Sequence, residues 1–342
     1  MTTGIVKDDR YLAHNLGAGH IESPERLEVI HALIERGLPP SCALIEPRPA
    51  SREELEYIHA PEYVGLISRL AGRRYVELDQ DTSMTAGSYE AARLAAGGAI
   101  RAADMIMDGE VRNAVALVRP PGHHAERGQA LGFCIFNNIA VAAEHLLRRR
   151  GLRRILIADW DLHHGNGTQN AFYFRKDVLF FSTHRFPFYP GSGYWNEAGA
   201  EAGEGFTVNV PLTAGKGNED YRFIYRTVLG PIAAAFRPEF ILVSAGFDIF
   251  AGDPLGGMEV TAEGFGDLAA ELLTMARDHA QGRILFVLEG GYSPEGLAAG
   301  VLQVLAQLSG KAQLPGIAAE ASPQARAEIA PVIDVHRKFW PL

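Results

Sequence analysis

Four segments of this 342-residue chain place histidines, acids and a tyrosine directly after short apolar runs. Arg119-Pro120-Pro121-Gly122-His123-His124 follows one run. Asp159-Trp160-Asp161-Leu162-His163-His164-Gly165-Asn166 ends a second. Ala245-Gly246-Phe247-Asp248, then Gly252-Asp253-Pro254-Leu255, follows a third, and Glu289-Gly290-Gly291-Tyr292 a fourth. Asp159, Asp161 and His163 alternate, so an extended backbone turns all three side chains the same way. Two carboxylates and an imidazole on one edge suit a cation, and they suit Zn²⁺ in particular. Catalytic zinc takes three protein ligands and keeps one position for water. The remaining ligand must come from another strand, and Asp253 is the strongest candidate. The tandem His123-His124 can move protons, one ring taking a proton from water while the other donates one or stabilises charge. Tyr292, behind two glycines, can approach a ligand closely and donate a hydrogen bond to a developing oxyanion. Phe133, Phe188 and Tyr189 can wall a narrow slot that fits an aliphatic chain ending in an amide. Together these groups spell metal-assisted hydrolysis.

Such groups must be held by a scaffold that brings distant segments to one edge. Runs rich in β-branched residues at 114–118, 154–158, 178–182, 207–210, 240–244 and 284–288 have the length of buried strands. Between them, 26–36, 89–107, 139–149, 221–236, 262–280 and 295–308 carry helical spacing, with Pro24 and Ser293-Pro294-Glu295 as helix starts. Alternating strands and helices predict a parallel sheet covered on both faces, with ligands beyond the carboxyl ends of the strands. The longest loop is expected at 184–206, rich in Gly, Pro and aromatics, and a loop of that length is usually functional. The absence of repeats or linkers predicts one domain over 1–342, with a core at about 10–310 and a carboxyl-terminal extension over 311–342.

Composition narrows the function. Hydrophobic residues make up 47% and the formal net charge is −9, which argues against unaided nucleic-acid binding while tolerating a cationic substrate. The two cysteines, Cys42 and Cys134, cannot build a disulfide framework or a four-thiolate zinc site. The amino-terminal residues MTTGIVKDDR carry no apolar signal core, and no stretch approaches the roughly 18 apolar residues of a membrane span. These features give the expectation of a cytoplasmic protein without a membrane partner.

RPPGHHAERGQALGFCIFNN, ADWDLHHGNGTQ, SAGFDIFAGDPLGGM and LEGGY, with HIESPERL and LDQDTSMTAGSYEAARLAAGGAI upstream, together resemble the zinc-dependent histone deacetylases and their bacterial amidohydrolase relatives. The resemblance covers roughly residues 10–310. It implies an arginase/deacetylase-type α/β fold with an eight-stranded, mostly parallel sheet. It implies one zinc per chain held by Asp161, His163 and Asp253, with His123 and His124 flanking the attacking water, His124 as the general base and Tyr292 polarising the scissile carbonyl. Phe133, Phe188 and Tyr189 would line an acyl-lysine tunnel, together with Gly132, Gly291 and Leu255. Asp81 would hold the substrate backbone at the rim, and Arg26 would stand near an internal cavity through which acetate leaves. Asp159, Ser182 and Thr183, mostly through carbonyls, would form a potassium site, and carbonyls of Phe172, Arg175 and Val178 a second one.

Two positions choose a branch. Asn166, where some relatives carry Asp, resembles the class II pattern; it can orient a histidine but adds no charge. Tyr189 stands where Phe is usual. The activity implied is removal of an acyl group, acetyl by preference, from a lysine side chain. An acetylpolyamine amidohydrolase uses the same parts; there, by the same resemblance, a glutamate occupies the position of Leu255. A non-catalytic acyl-lysine binder would lack a ligand or the tyrosine. A binuclear manganese ureohydrolase would need a second metal cluster.

Overall fold

The computed structural model describes residues 2–37, 41–310 and 320–342. Its sheet contains eight strands: β1 (Thr3–Val6), β2 (Cys42–Ile45), β5 (Asn113–Ala116), β6 (Ile155–Asp159), β7 (Val178–Arg185), β8 (Thr207–Leu212), β9 (Phe240–Ala245) and β10 (Ile284–Leu288). A separate antiparallel hairpin joins β3 (Tyr75–Glu77) to β4 (Ser83–Thr85). All pairings in the large sheet are parallel, in the order β2-β1-β5-β10-β9-β6-β7-β8. The strands that carry the chemical motifs, β5, β10, β9 and β6, are therefore consecutive neighbours. Parallel pairing puts all their carboxyl ends on one edge, so residues more than a hundred positions apart in sequence meet there.

Six strands follow the apolar runs closely; β9 and β10 are buried at every position, as strands covered on both faces must be. β1 and β2 complete the eight. Two packed groups of helices flank the sheet. Ser88–Met107 and Asn138–Arg150 pack on each other, while Ala262–His279 packs on Pro294–Leu308 and the latter on Glu25–Arg36. Asn137 caps its helix by accepting the Ala140 N–H at 3.0 Å, and Ser293 does the same for Gly296 at 3.2 Å. The helix expected over 221–236 is continuous but changes pitch: Asn218–Ile224 and Gly230–Phe236 are joined by a π turn at Tyr225–Leu229.

Of the carboxyl-terminal extension, residues 311–319 lie outside the described residues. Beyond them the helix Pro323–His336 packs along β8, and Trp340 Nε1 donates to Gly205 O at 2.7 Å. Among the described residues no helix is long and apolar enough to cross a membrane.

Candidate active site

Beyond the strand ends lies a cavity of about 210 Å³. Phe133, Phe188, Tyr189 and Leu255 form its walls, and Asp81 and Gly132 stand beside them. His124, His163 and Tyr292 also line it. Every one of these residues was expected from sequence. Phe188 stacks on the His163 ring at a centroid distance of 5.6 Å, and Tyr189 meets His124 edge-on at 5.2 Å. Phe133 stands edge-on to Tyr292 at 6.0 Å.

The Phe133 wall depends on an unusual backbone. Phe133 has φ 66° and Gly132 has φ 56°, a region L-residues seldom enter. Gly132 is also required by contact, because a Cβ there would run into the His124 ring. Asp81 Oδ1 accepts the Gly132 N–H at 3.0 Å, and Thr82 Oγ1 accepts the Phe133 N–H at 2.9 Å. Asp81 thus braces the tunnel wall with one oxygen as well as standing at its rim.

Asp161, His163 and Asp248 bring one donor atom each within 4.8 Å of one another. His163 Nδ1 lies 3.1 Å from Asp161 Oδ1 and 3.2 Å from Asp248 Oδ2. This corrects the sequence reading, which put Asp253 in the set. Asp253 sits five residues beyond Asp248, and its oxygens are taken by backbone: Oδ1 accepts from Leu255 N, and Oδ2 from Tyr292 N and Ser293 N. Asp159 does not join the cluster either. Its Oδ2 lies 3.0 Å from His123 Nδ1, and its Oδ1 accepts the Asp161 N–H.

The cluster fits a divalent cation. Asp248 Oδ2 is buried and makes no well-aligned hydrogen bond, its approach to His163 Nδ1 at 3.2 Å being an ion-pair contact only, a costly arrangement unless something fills the space between the donors. Burial first, then the neighbouring Asp161 carboxylate, pushes the Asp248 carboxyl up to about 7. Burial opposes a charge on His163, but the adjoining carboxylates of Asp161 and Asp248 outweigh it and hold its pKa at about 9. One imidazole nitrogen and two carboxylate oxygens are a donor set suited to zinc. Gly290 keeps the space open: a Cβ there would clash with Asp248 Oδ2 and stand 2.6 Å from Asp161 Oδ2.

The two tandem histidines differ in surroundings. For His123, burial works against charge, but the carboxylates of Asp161 and Asp159 prevail and raise its pKa to about 10. His124 is driven well below the ordinary histidine range, by burial first and then by His123 and His163. Its Nδ1 lies 2.7 Å from Asn166 Oδ1. The loop holding both rings is anchored by Glu289, whose Oε2 accepts the N–H groups of Gly122 and His123 at 2.6 and 3.2 Å. Sequence reasoning passed over Glu289 and Asp248, although both fall within four residues of a strand end.

Behind Tyr292, Arg26 lies with its guanidinium 5.0 Å from the ring centroid. Arg26 donates to the carbonyls of Gly291 and Glu289 and to Glu22. It also lines a second cavity of about 600 Å³, shared with Tyr292 and His20. Gly291 therefore serves as an anchoring point for Arg26; it is not among the residues lining the tunnel. At the expected potassium sites, Asp159 pairs with Ser182 across β6 and β7, and Thr183 Oγ1 donates to the Asp159 carbonyl at 3.5 Å. Phe172, Arg175 and Val178 follow one another into β7, and the Phe172 carbonyl accepts the Arg175 N–H at 2.9 Å.

The family model for the histone deacetylase domain matches residues 20–308. The chain belongs to the histone deacetylase family. It is 44% identical over 299 residues to a "Probable deacetylase" of Archaeoglobus fulgidus, covering 86% of this chain and 83% of that protein. It is 44% identical over 304 residues to the mouse "Polyamine deacetylase HDAC10", covering 85% of this chain but 45% of that one. The crystal structure of the HDA15 HD domain superposes with a TM-score of 0.93 at 39% identity, covering 100% of this chain and 97% of that one. The histone deacetylase fold thus accounts for the whole eight-stranded sheet.

Proposed function

We propose that this histone deacetylase family member is a zinc-dependent hydrolase that removes an acetyl group from the side-chain amine of lysine. The observation that carries this reading is the meeting of three features at one edge: the Asp161–His163–Asp248 cluster, the His123-His124 pair and Tyr292 beside a narrow aromatic cavity.

Asp161, His163 Nδ1 and Asp248 would hold the zinc. When bound, zinc supplies Lewis-acid polarisation of the amide carbonyl and makes water acidic enough to attack near neutral pH. His124, neutral in its buried setting, takes the proton of the attacking water at Nε2 while Asn166 holds Nδ1. Tyr292 donates its hydroxyl hydrogen to the carbonyl oxygen as negative charge develops there. His123, its Nδ1 3.0 Å from Asp159 Oδ2, stabilises negative charge next to the reacting centre, and a proton from the pair goes to the departing amine. The walls of Phe133, Phe188 and Tyr189 exclude water from the lysine stem. Potassium in the Asp159–Ser182–Thr183 and Phe172–Arg175–Val178 carbonyl cradles belongs to the same proposal.

Acetylpolyamine hydrolysis is the second reading, favoured by the similarity to a protein named polyamine deacetylase. Leu255 speaks against it, since it lines the tunnel where a cationic substrate would need an acid. The test is acetate release from an acetyl-lysine peptide by zinc-loaded protein, after chelation and after zinc is restored. Loss and recovery of activity support the reading. Turnover indifferent to chelation would overturn it.

A further inference from the structure

Asn166 leaves the base His124 without the direct carboxylate partner that His123 has in Asp159. The structure supplies one a step further out. Asn166 Nδ2 donates to Glu126 Oε1 at 2.6 Å, and Asn170 Nδ2 donates to the same oxygen at 2.9 Å. Glu126 follows the tandem pair by two residues and is partly buried.

We propose that Glu126 is a positioning residue for the deacetylation described above, fixing through Asn166 which nitrogen of His124 carries the proton. The chain of reasoning is one of donors and acceptors. An ionised carboxylate only accepts hydrogen bonds. Glu126 therefore requires the nitrogen end of the Asn166 amide, and this turns the oxygen end toward His124. An oxygen 2.7 Å from His124 Nδ1 requires that nitrogen to be the donor. The lone pair is then confined to Nε2, where the base needs it. Without Glu126 the amide could rotate half a turn, present its nitrogen to Nδ1 and reverse the tautomer. Hydrogen bonds in series also polarise one another, so the negative charge on Glu126 makes Asn166 Oδ1 a stronger acceptor for a His124 that becomes positive in the reaction.

Neighbouring contacts hold this arrangement in place. Asn166 Nδ2 is also 3.4 Å from the His124 carbonyl. The Glu126 backbone is fixed by Gln129 and by His59, whose Nδ1 lies 2.8 Å from Glu126 O.

The proposal rests on the deacetylase reading, and two measurements separate their fates. The first is a double-mutant cycle on acetyl-lysine peptide hydrolysis. In the wild type, Glu126→Gln, which can still accept from Asn166 but carries no charge to polarise it, should lower kcat by about tenfold, the lower end of what changing an outer partner costs, with KM little changed. In Asn166→Asp the two facing carboxylates must share a proton, and Glu126→Gln should there raise kcat by relieving the repulsion and leaving a single charge beside His124. An equal effect of Glu126→Gln in both backgrounds, or no effect in either, overturns the proposal. The second is the ¹⁵N spectrum of histidine-labelled, zinc-loaded protein, with the His124 signals identified by their loss in His124→Ala. Protonation at Nδ1 in the wild type and a mixed or reversed tautomer in Glu126→Ala support the proposal. Protonation at Nε2 in the wild type, or an unchanged tautomer in Glu126→Ala, overturns it. If the wild type hydrolyses neither acetyl-lysine peptide nor acetylpolyamine, the deacetylase reading fails, and the nitrogen spectrum still decides whether Glu126 sets the tautomer.

Discussion

The carboxylate of Asp253 accepts the backbone N–H of Tyr292 at 2.7 Å. The same oxygen accepts from Ser293, and the other from Leu255. One side chain therefore ties the loop after β9 to the loop after β10 and fixes the backbone from which the Tyr292 ring projects. The cation cluster uses Asp248 instead. Asp248→Ala and Asp253→Ala should consequently differ. The first is expected to lose nearly all bound zinc, while the second keeps close to one equivalent per chain and loses stability. Hydrogen bonds to a charged group are worth about 1.5–3 kcal/mol each. Metal analysis and thermal unfolding of the two variants check this. Zinc retained in Asp248→Ala and lost in Asp253→Ala would reinstate Asp253 as the ligand.

Tyr292→Phe removes the proposed carbonyl polariser while leaving the ring packed against Phe133 and Arg26. It should fold, bind zinc and lose about 10²–10³ in kcat, as removal of one oxyanion donor does. Turnover near the wild-type rate would take Tyr292 out of the chemistry.

His124→Ala is expected to slow turnover more than His123→Ala. The difference follows from their neighbours: His124 lines the tunnel with its Nδ1 held by Asn166, whereas His123 lies outside the tunnel lining, between Asp159 and Asp161. Single-turnover rates of the two variants decide it, and the reverse order would exchange the two roles.

Behind the site, His59 makes acid stability testable. Its Nε2 accepts the Asn137 N–H at 2.9 Å and its Nδ1 faces Glu126 O, so the ring is neutral with both nitrogens in use. Burial pulls its pKa down to about 4. The unfolded chain, with histidine near 6.5, binds a proton first as pH falls. Stability from this group is therefore full above about 6.5 and is lost as pH drops toward 4. His59→Gln should cost stability at pH 7.5 but shrink the further loss between pH 6.5 and 4.5 by about 1–3 kcal/mol. Parallel pH curves for the two proteins would contradict this.

Much of the site was legible because its residues follow directly on strands whose apolar runs mark them. Asp161, His163 and Tyr292 all stand within four positions of a strand end, and the tandem histidines follow β5 by seven and eight. Asp248 and Asp253 show where that signal stops. Both follow β9, and spacing alone cannot tell which one turns inward. Asp248, three residues past the strand, meets His163, while Asp253 is used by the backbone after the chain has turned. β1 and β2 were hidden for another reason. Each is four residues long, and β2 exposes its two middle residues, so neither stands out as an apolar run. The role suggested for Glu126 depends on the direction of an amide, which no sequence pattern displays.

Leu255→Glu tests how the rim selects its substrate. Leu255 lines the tunnel, and Asp81, the nearby acid, already spends one oxygen on Gly132 N and Thr82 Oγ1. Adding a carboxylate should shift the ratio of kcat/KM toward acetylpolyamines by roughly tenfold to a hundredfold, the worth of one charge-assisted hydrogen bond. An unchanged ratio would show that Leu255 only packs the loop.

The most direct measurement is kcat/KM of the zinc-loaded wild type for an acetyl-lysine peptide and for N-acetylated polyamines, side by side. Acetate release from both, with the peptide preferred, is the predicted result. Preference for the polyamines, or hydrolysis of neither, would contradict the assignment of this protein as a lysine deacetylase.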